Sequence, residues 1–476
     1  MPLQKLRQTK IVATMGPACS SDQQILELIK AGCDLMRLNG SHMNASQLKQ
    51  RIAHIRRLCT KNHLEVPIMV DLQGPRLRTG ELFNDEPMFL RAGQSVILDS
   101  DAKRNSPNII AVPCTQLIGM VNVGDAILLD NGIMELKAKR KVGKRFHCIV
   151  KVGGKLGRNK GINLPKAPMT LPALSAKDKA DVRAAVSAKA DFLALSFVRS
   201  ELDVIVLKKL LKSLKSNIPI IAKIEKPSAV DHIDAIMDHA HGIMVARGDL
   251  GIEAGVEKVP VIQKRLIEKA NAKGVPVITA TQMLESMIES STPTRAEASD
   301  VANAVFDGTD AVMLSGETAI GHSPINCIRI MCKIINEAEA DGLSDFRYRM
   351  NEKFSQSDHL LGATVHAGCA SAERVKAKAI VVYTSSGKTS RWVSKLRPAS
   401  RVIALCFDPV TARRCVLGFG IRALIIPKKR NTDLLIAAGE KAVKKYMSLK
   451  KGDHLVIVAG RLALRGSQYM TKIDQI

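Results

Sequence analysis

Eight short apolar runs, most of them separated by helix-like segments, are the feature that most constrains how this chain can fold. The runs are nearly continuous in Val, Ile, Leu and Met, as is typical of parallel strands buried on both faces. Helical apolar spacing occurs between runs, for example over Asp22–Ala31, Ala176–Ala188 and Pro260–Ala272. Eight such units predict a (β/α)8 barrel of the TIM type. The runs are Ile11–Met15, Asp34–Leu38, Pro67–Leu72, Asp191–Phe197, Ile218–Ile224, Gly242–Val245, Val275–Ala280 and Ala311–Leu314.

An insertion interrupts the repeat, because about 120 residues separate the third run from the fourth. Residues 75–170 are rich in Gly, Pro and short β-branched runs, such as Ser95–Leu98, Ala126–Leu129 and Phe146–Val152. A turn signal lies at Asp130-Asn131-Gly132. We predict a small inserted β-barrel here.

A second β-α pattern follows the eighth run. Its strand-like runs predict a separate C-terminal α/β domain. The predicted division is a barrel of residues 1–74 and 171–342, an inserted domain of 75–170 and a C-terminal domain of 343–476. The C-terminal runs are Ala379–Tyr383, Val402–Cys406, Ala423–Ile426 and His454–Val458.

The composition is that of a globular protein, with 46% hydrophobic and 24% charged residues in 476. The ten cysteines are scattered without a C-x-x-C pair, so neither a disulfide framework nor a zinc site is indicated. The N-terminus lacks the pattern of a secretory signal, and no apolar run is long enough to span a bilayer. We therefore expect a cytoplasmic protein without a membrane segment.

The net charge of +26 is the one unusual bulk property, and nucleic acid, an anionic membrane or an acidic small substrate are the partners it suggests. Only 3% of residues are aromatic, so stacking platforms for single strands are scarce. The basic clusters are short. We interpret the charge as a basic surface combined with sites for phosphate.

Polar residues close several of the barrel runs, at the strand ends where β/α barrels carry their chemistry. Any one of them has a simpler explanation, since Lys223 and Glu225 could be a neighbouring ion pair. Several such strand ends around one barrel mouth instead predict a common site, because a single desolvated rim must hold them all. The residues are Arg37, Asp71, Lys223, Glu225, Arg247, Gly248, Asp249 and Thr281.

These residue types suit a substrate that carries both phosphate and carboxylate. Glu225 and Asp249 supply two carboxylates, enough for a Mg²⁺ that takes its other ligands from water and substrate. Lys223 and Arg37 can meet phosphate oxygens. The turn at Arg247–Gly251 opens a short helix whose N–H groups can bind a carboxylate. Motifs of P-loop, Rossmann and protein-kinase sites do not occur in the sequence.

Five motifs, in order along the chain, resemble those of the pyruvate kinase family. The strongest is IIAKIEKP at residues 220–227. The others are MVARGDLGIE at 244–253, TATQMLESM at 279–287, PTRAE at 293–297 and MLSGET at 313–318. The resemblance covers essentially the whole chain.

The resemblance implies an allosteric phosphotransferase of glycolysis. Its reaction moves the phosphoryl group of phosphoenolpyruvate to ADP, giving pyruvate and ATP, with Mg²⁺ as cofactor and Mn²⁺ as a substitute. It also implies an inserted domain that closes as a lid, and a homotetramer.

Site residues carry over from the family by position. Gly40 is a departure, because the family usually has Phe there. Thr281 would lie near the enolate carbon that is protonated, and Lys160 would be the lid residue that reaches the nucleotide phosphates. The implied contacts are Arg37 and Lys223 for the phosphoryl group, Glu225 and Asp249 for Mg²⁺, Gly248, Asp249 and Thr281 for the substrate carboxylate, and Asn39, Gly40, Ser41, His42, Arg78 and Lys160 for the nucleotide.

A second departure concerns the family's monovalent-cation site, which here would comprise Asn39, Ser41, Asp71 and Leu72. Potassium-dependent members have Glu five positions after the Asp, and this chain has Arg76. A fixed guanidinium can supply the positive charge that potassium otherwise brings. We therefore expect that potassium is not required, the alternative being that Arg76 points to solvent and potassium still binds.

A turn in the C-terminal domain, Thr384-Ser385-Ser386-Gly387-Lys388-Thr389, follows a strand and precedes a helical pattern. Such a turn presents N–H groups and hydroxyls to a phosphate, although Ser/Thr/Gly turns also cap helices routinely. It resembles the family's effector pocket, so a sugar phosphate or AMP is the expected effector.

Two other functional hypotheses are compatible with the same sequence features. One is a different barrel enzyme that acts on phosphoenolpyruvate, such as a dikinase or a carbon–carbon lyase. We see no candidate for the phosphohistidine domain of a dikinase, and a lyase would not explain Lys160 or the insertion. The other is a non-catalytic protein that binds nucleic acid through its basic surface, in which Lys223 would be dispensable. We expect no specific nucleic-acid partner.

Overall fold

The computed structural model describes residues 7–114, 116–165, 171–341, 359–460 and 469–476. The predicted boundaries at 170/171 and 342/343 lie at or beyond the edges of these ranges. In chain order the strands are β1 Lys10–Met15, β2 Leu35–Asn39, β3 Ile68–Asp71, β4 Leu77–Arg78, β5 Met88–Leu90, β6 Ser95–Asp99, β7 Ile109–Ala111, β8 Ala126–Leu129, β9 Met134–Val142, β10 Arg145–Val152, β11 Gly154–Leu156, β12 Gly161–Asn163, β13 Phe192–Leu195, β14 Ile220–Ile224, β15 Gly242–Ala246, β16 Val277–Ala280, β17 Ala311–Leu314, β18 Ala379–Tyr383, β19 Arg401–Cys406, β20 Ile421–Ile425, β21 His454–Ala459 and β22 Met470–Gln475.

The helices connect these strands, and six of those described begin at a capping side chain. Ser21 and Thr294, for example, each accept an N–H bond from the first turn of the helix that follows. In chain order the helices are α1 Asp22–Ala31, α2 Ala45–Lys61, α3 Leu117–Met120, α4 Ala176–Ser187, α5 Glu201–Ser213, α6 Pro227–Asp231, α7 Ile233–His239, α8 Arg247–Ala254, α9 Val259–Ala272, α10 Arg295–Asp307, α11 Gly316–Ala319, α12 Pro324–Asp341, α13 His359–Arg374, α14 Lys388–Lys395, α15 Pro409–Cys415 and α16 Thr432–Met447.

Eight parallel strands form a closed barrel in the order β1-β17-β16-β15-β14-β13-β3-β2. The first and last residues of each predicted run differ by at most two positions from those of the matching barrel strand. The (β/α)8 prediction is therefore confirmed. The barrel interior is filled by apolar side chains, among them Val12, Met69, Phe192, Met244 and Ile278. It is a packed core, so ligands must bind at the rim.

The inserted segment is a β domain between β3 and β13. Its main sheet has the order β4-β12-β8-β9-β10-β6-β7, and β5 pairs with β11 separately. The two edges of the main sheet meet, because Gly80 N, just after β4, donates to Ala111 O at the end of β7 over 2.8 Å. A Cβ at Gly80 would lie 2.4 Å from Lys103 O, so this close approach requires glycine.

The C-terminal domain is a five-stranded sheet in the order β20-β19-β18-β21-β22. All pairs are parallel except β21 with β22. Helix α13 packs against β21 and β22, and α15 against β19 and β20. This α/β domain was predicted from the sequence.

Charged side chains join this domain to the floor of the barrel, at the N-terminal strand ends. Asp310 precedes β17 and is completely buried. Its carboxylate contacts Lys395 Nζ at 2.5 Å and Arg397 Nη2 at 3.2 Å. Burial alone would raise the pKa of Asp310, but these two cations outweigh it and lower the pKa. Two more ion pairs cross the same interface, between Asp34 and Arg422 and between Asp191 and Arg413.

Within the part of the chain that the structure describes, no helix is long and apolar enough to cross a membrane.

Candidate active site

The predicted strand-end residues converge at one mouth of the barrel, around the buried carboxylate of Asp71 at the end of β3. Arg37 Nε lies 2.8 Å from Asp71 Oδ2, and Lys223 Nζ lies 3.3 Å from Asp71 Oδ1. Burial by itself would raise the pKa of Asp71, but Lys223 and Arg37 outweigh it and hold the pKa below its ordinary value. Two cations from β2 and β14 are therefore fixed beside each other.

Lys223 has a charged amine that is almost completely enclosed. Its Nζ lies 2.9 Å from Glu225 Oε1 and donates to Ser196 Oγ over 2.9 Å. Burial would lower the pKa of Lys223, but the charges of Asp71 and Glu225 raise it above the usual value. The ammonium is therefore maintained in a site where water is nearly excluded.

Arg37 is held from the other side by Thr14 at the C-terminal end of β1. Arg37 Nη1 donates to Thr14 Oγ1 over 2.9 Å, and that hydroxyl donates to Leu314 O over 2.8 Å. Thr14 and Ser196 were not identified from the sequence. Both follow or end a barrel strand as the predicted residues do, but neither is charged, so their signal is weak.

Glu225 and Asp249 are the two carboxylates that could hold a metal. Glu225 Oε2 accepts the Phe197 N–H over 2.6 Å, while the buried Oε1 has only the ion pair with Lys223 and no hydrogen bond. Burial raises the pKa of Glu225, and Asp249 adds to the rise while Lys223 opposes it. A buried carboxylate oxygen without a hydrogen bond, next to a second carboxylate, fits a divalent cation that keeps part of its shell for water and substrate.

Helix α8 begins at Arg247, directly beyond β15, and brings Gly248 against Thr281. Gly248 N donates to Thr281 Oγ1 over 2.8 Å. Thr281 has φ of 69°, an unfavourable conformation for a β-branched residue. Arg247 fixes it by donating to Thr281 O over 2.8 Å and pairing with Asp300 at 2.6 Å. The structure thus brings together all three residues predicted for the carboxylate, with Arg247 as their support.

A cavity of about 850 Å³ opens beside Arg37. Of the residues predicted for the nucleotide, Asn39 and His42 line it, and the 3₁₀ turn that contains Gly40 and Ser41 lies between them. Gly40 faces inward, and a Cβ there would lie 2.7 Å from Asp71 O, which excludes a larger residue in this backbone geometry. Lining residues that the sequence analysis missed include Pro17, Met43, Gln47, Gln50, Arg51, His54, Ser315, Gly316 and Ile320.

The predicted lid residues lie in the inserted domain and make contacts of their own. Lys160 Nζ pairs with Asp130 at 2.9 Å, and Arg78 Nη1 donates to Asn159 O over 2.9 Å. At the base of the insertion, Asn163 Nδ2 donates to Glu253 Oε1 over 2.8 Å. The insertion is therefore in contact with α8, the helix that carries Asp249.

Arg76 points to Asp249, one of the two carboxylates that could hold a metal. Its Nη2 donates to Asn131 Oδ1 over 2.7 Å and lies 3.6 Å from Asp249 Oδ1. In the predicted cation set, Asn39 Oδ1 accepts from Ser41 N over 3.1 Å, and Asp71 is paired as described above. Leu72 is buried beside them, and its carbonyl accepts from Ser196 Oγ.

The predicted effector turn lies between β18 and α14 and borders a small cavity of about 130 Å³. Its lining includes Thr384, Ser385, Ser386, Lys388 and Thr389. The N–H of Gly387 donates to Thr384 Oγ1 over 2.8 Å, and that of Lys388 to Ser386 Oγ over 3.4 Å. An anion would have to displace these hydroxyls to reach both N–H groups.

Comparisons with known proteins agree along the chain. Residues 6–328 match the family description "Pyruvate kinase, barrel domain", and residues 362–473 match "Pyruvate kinase, alpha/beta domain". A pyruvate kinase of Staphylococcus aureus is 39% identical over 458 residues, which are 96% of this chain and 78% of that protein. One of Staphylococcus epidermidis is 38% identical over 475 residues, 99% of this chain and 81% of that protein. A crystal structure of a pyruvate kinase from Cryptosporidium parvum superimposes with a TM-score of 0.92 at 34% identity, covering 98% of this chain and 96% of that one.

Proposed function

The chain belongs to the pyruvate kinase family, and we propose that its barrel mouth is where the phosphoryl group of phosphoenolpyruvate passes to ADP, giving pyruvate and ATP. It is a phosphotransferase of the last step of glycolysis. The observation that carries the assignment to this site is the enclosed ammonium of Lys223 beside Arg37, with Glu225 and Asp249 next to them. A positive charge fixed in a nearly dry site stabilises the charge that spreads over a transferring phosphoryl group.

We assign the substrate contacts by charge and position. Arg37 and Lys223 bind the phosphoryl oxygens, and the N-terminal turn of α8 at Gly248 and Asp249 binds the substrate carboxylate. The phosphoryl group leaves the enol oxygen and bonds to a terminal phosphate oxygen of ADP, and the enolate of pyruvate that remains becomes pyruvate by taking one proton on carbon. Thr281 lies against Gly248 and is the hydroxyl assigned to that end of the substrate.

Glu225 and Asp249 would hold Mg²⁺, and Mn²⁺ takes the same oxygen ligands. When bound, the ion neutralises part of the negative charge of substrate and nucleotide. The nucleotide occupies the cavity beside Arg37, with Asn39, Gly40, Ser41 and His42 on one side. Arg78 and Lys160 approach it from the inserted domain, and Lys160 must leave Asp130 to reach a phosphate.

Potassium should not be needed, because Arg76 brings a fixed positive charge to within 3.6 Å of Asp249. Asp71, one of the ligands of the family's cation site, is already neutralised by Arg37 and Lys223. Replacing potassium by tetramethylammonium at constant ionic strength should change kcat by no more than about twofold. In Arg76→Gln the fixed charge is absent, and potassium should then activate. Many-fold activation of the wild type by potassium would contradict this account.

We propose that the C-terminal domain regulates the enzyme through its 384–389 turn. A sugar phosphate or AMP would bind where the Gly387 and Lys388 N–H groups meet the hydroxyl side chains of the turn, which are Thr384, Ser385, Ser386 and Thr389. Calorimetric titration with ribose 5-phosphate, AMP and fructose 1,6-bisphosphate should detect binding of one of them, and Ser386→Asp should abolish it by placing a negative charge in the turn. No heat with any of the three would refute the proposal.

The domain limits, the oligomeric state and the location in the cell are inferred from the sequence pattern and from family membership. We propose three units, residues 1–74 with 171–342, 75–170 and 343–476, assembled in a homotetramer in the cytoplasm. No specific nucleic acid is proposed as a partner.

A further inference from the structure

A second cavity, of about 470 Å³, lies at the floor of the barrel, far from the proposed active site. One wall is the second half of α5 with the loop after it, and the other is the start of β14 with His241, which immediately precedes β15. Its lining contains no carboxylate. The lining residues are Lys208, Leu211, Lys212, Lys215, Ser216, Asn217, Ile218, Ile220 and His241.

The C-terminal domain adds two arginines to this cleft. Arg414 donates through both terminal nitrogens to Asn217 Oδ1, each over 3.3 Å. Arg391 and Arg414 both lie close enough to act on His241 electrostatically, as does Lys208. Four basic residues of the barrel therefore line the opening, and two arginines of the C-terminal domain lie near it.

Positive charge accumulates here without a matching carboxylate at the lining. Lys208, Lys212 and Lys215 form no ion pair with any residue in the described ranges. Asp191 and Asp408 act on Arg414, but Asp191 is already bound by Arg56 and Arg413.

The pKa of His241 reports both the burial of its ring and the cations around it. His241 is open to solvent through the cleft, yet loss of hydration lowers its pKa to about 4, with Arg391, Lys208 and Arg414 adding to the fall. Its Nδ1 accepts the Ile220 N–H over 3.1 Å, so the ring proton is on Nε2. Burial likewise lowers the pKa of Lys208, Arg391 and Arg414.

Other roles explain only part of this arrangement. Lysines in the last turn of a helix complement its dipole, which accounts for Lys212. A generally basic surface accounts for isolated lysines. Neither accounts for two arginines from another domain that converge on a histidine at the same opening.

We propose that this cleft binds a small organic anion with two phosphate groups, held jointly by the barrel and the C-terminal domain. Lys208 and Lys212 lie one helical turn, about 6 Å, apart along α5, and Lys215 follows in the loop beyond the helix, so the lysines span more than one helical turn along the cleft. That span and the volume exceed what one phosphate fills. Arg391 belongs to α14, whose first residue, Lys388, is part of the 384–389 turn, so the ligand would brace that helix against the barrel.

The test compares two triple variants that lose the same charge. Lys208→Gln/Lys212→Gln/Lys215→Gln removes the cleft lysines, and Lys441→Gln/Lys444→Gln/Lys445→Gln removes three exposed lysines of α16. The probe is inorganic pyrophosphate, titrated calorimetrically without magnesium. Because the active site and the effector turn are intact in both variants, only the cleft distinguishes them.

We expect the cleft variant to bind one pyrophosphate fewer per chain than the wild type, and the α16 variant to bind the same number. Both should keep wild-type kcat, since neither set touches the proposed active site. Lys208→Gln alone should weaken the cleft site about tenfold, which corresponds to one charge-assisted hydrogen bond. If the triple variant melts at a lower temperature than the wild type, Lys208→Gln alone is used in its place to test the cleft.

Equal loss of binding in both triple variants would mean general attraction to a basic protein, an adventitious ion only, and would overturn the proposal. Unchanged binding in the cleft variant would overturn it as well. If the cleft of the wild type binds no pyrophosphate, and a short RNA binds the wild type but not the cleft variant, the ligand is a nucleic acid and the proposal of a small anion is overturned. A tungstate soak should place an anomalous peak between Lys208 and His241.

Discussion

Replacing Lys223 by methionine should lower kcat for pyruvate formation by about 10³- to 10⁵-fold, the range seen when a cation that stabilises a phosphoryl transition state is removed. Methionine keeps nearly the length and volume of the side chain but has no charge. The ammonium is held by Asp71, Glu225 and Ser196 at distances of 2.9 to 3.3 Å. A coupled assay of pyruvate, run at saturating substrates, measures the change directly.

Lys226→Met is the matched control for this experiment. Lys226 is also buried and also pairs with a glutamate, Glu253, at 3.0 Å, but its partner lies toward the inserted domain. Its loss should affect kcat far less than the loss of Lys223. Equal effects of the two variants, or a Lys223→Met variant with wild-type activity, would contradict the assignment of Lys223. A non-catalytic nucleic-acid-binding protein on a barrel scaffold would instead form no pyruvate, with or without Lys223.

The second large effect is expected from Glu225→Gln. This change keeps the shape of the side chain and its bond from Phe197 N, but removes the charge at the buried Oε1 that would face Mg²⁺. The Mg²⁺ concentration for half-maximal activity should rise by about 100-fold or more, since even residues that only support a metal ligand account for 10- to 100-fold. The readout is a magnesium titration of kcat at fixed free ADP.

Glu253→Gln is the control for the magnesium experiment. Glu253 is a buried glutamate one helical turn after Asp249, and it contacts Asn163 and Lys226. The variant therefore makes the same substitution near the proposed metal site without touching it. Its magnesium requirement should stay close to that of the wild type. If Glu225→Gln has an unchanged magnesium requirement, Glu225 does not hold the ion.

The strand ends that form the site were predictable because burial and charge are both visible in sequence. Uninterrupted apolar runs that stop at Arg37, Lys223 or Asp249 require a place where charge can be accommodated, and barrel geometry brings those ends together. The strand limits followed from the same pattern to within two residues.

Contacts that depend on side-chain direction were not predictable. Thr14 and Ser196 orient Arg37 and Lys223, yet a hydroxyl residue after a buried strand is common and carries no distinctive signal. The position of Arg76 beside Asp249 depends on how the inserted domain leaves the barrel, which no local pattern encodes. The far wall of the nucleotide cavity, with Gln50 and Ile320, comes from helices whose polar residues look like ordinary surface.

The basic cleft under the barrel was invisible for a related reason. In the sequence, Lys208 and Lys212 look like the solvated side of a helix, and only the docking of the C-terminal domain brings Arg391 and Arg414 near His241 at the same cleft. Charges that are distant in sequence become one site through the interface at Asp310 and Asp191.

The central claim is that the barrel mouth transfers phosphoryl groups, and simultaneous measurement of both products tests it most directly. The purified protein is mixed with phosphoenolpyruvate, ADP and Mg²⁺, and ATP and pyruvate are quantified in the same samples. We predict equal amounts of the two products at every time point, and neither product above background with Lys223→Met. Pyruvate without ATP, or no pyruvate from the wild type, would contradict the account.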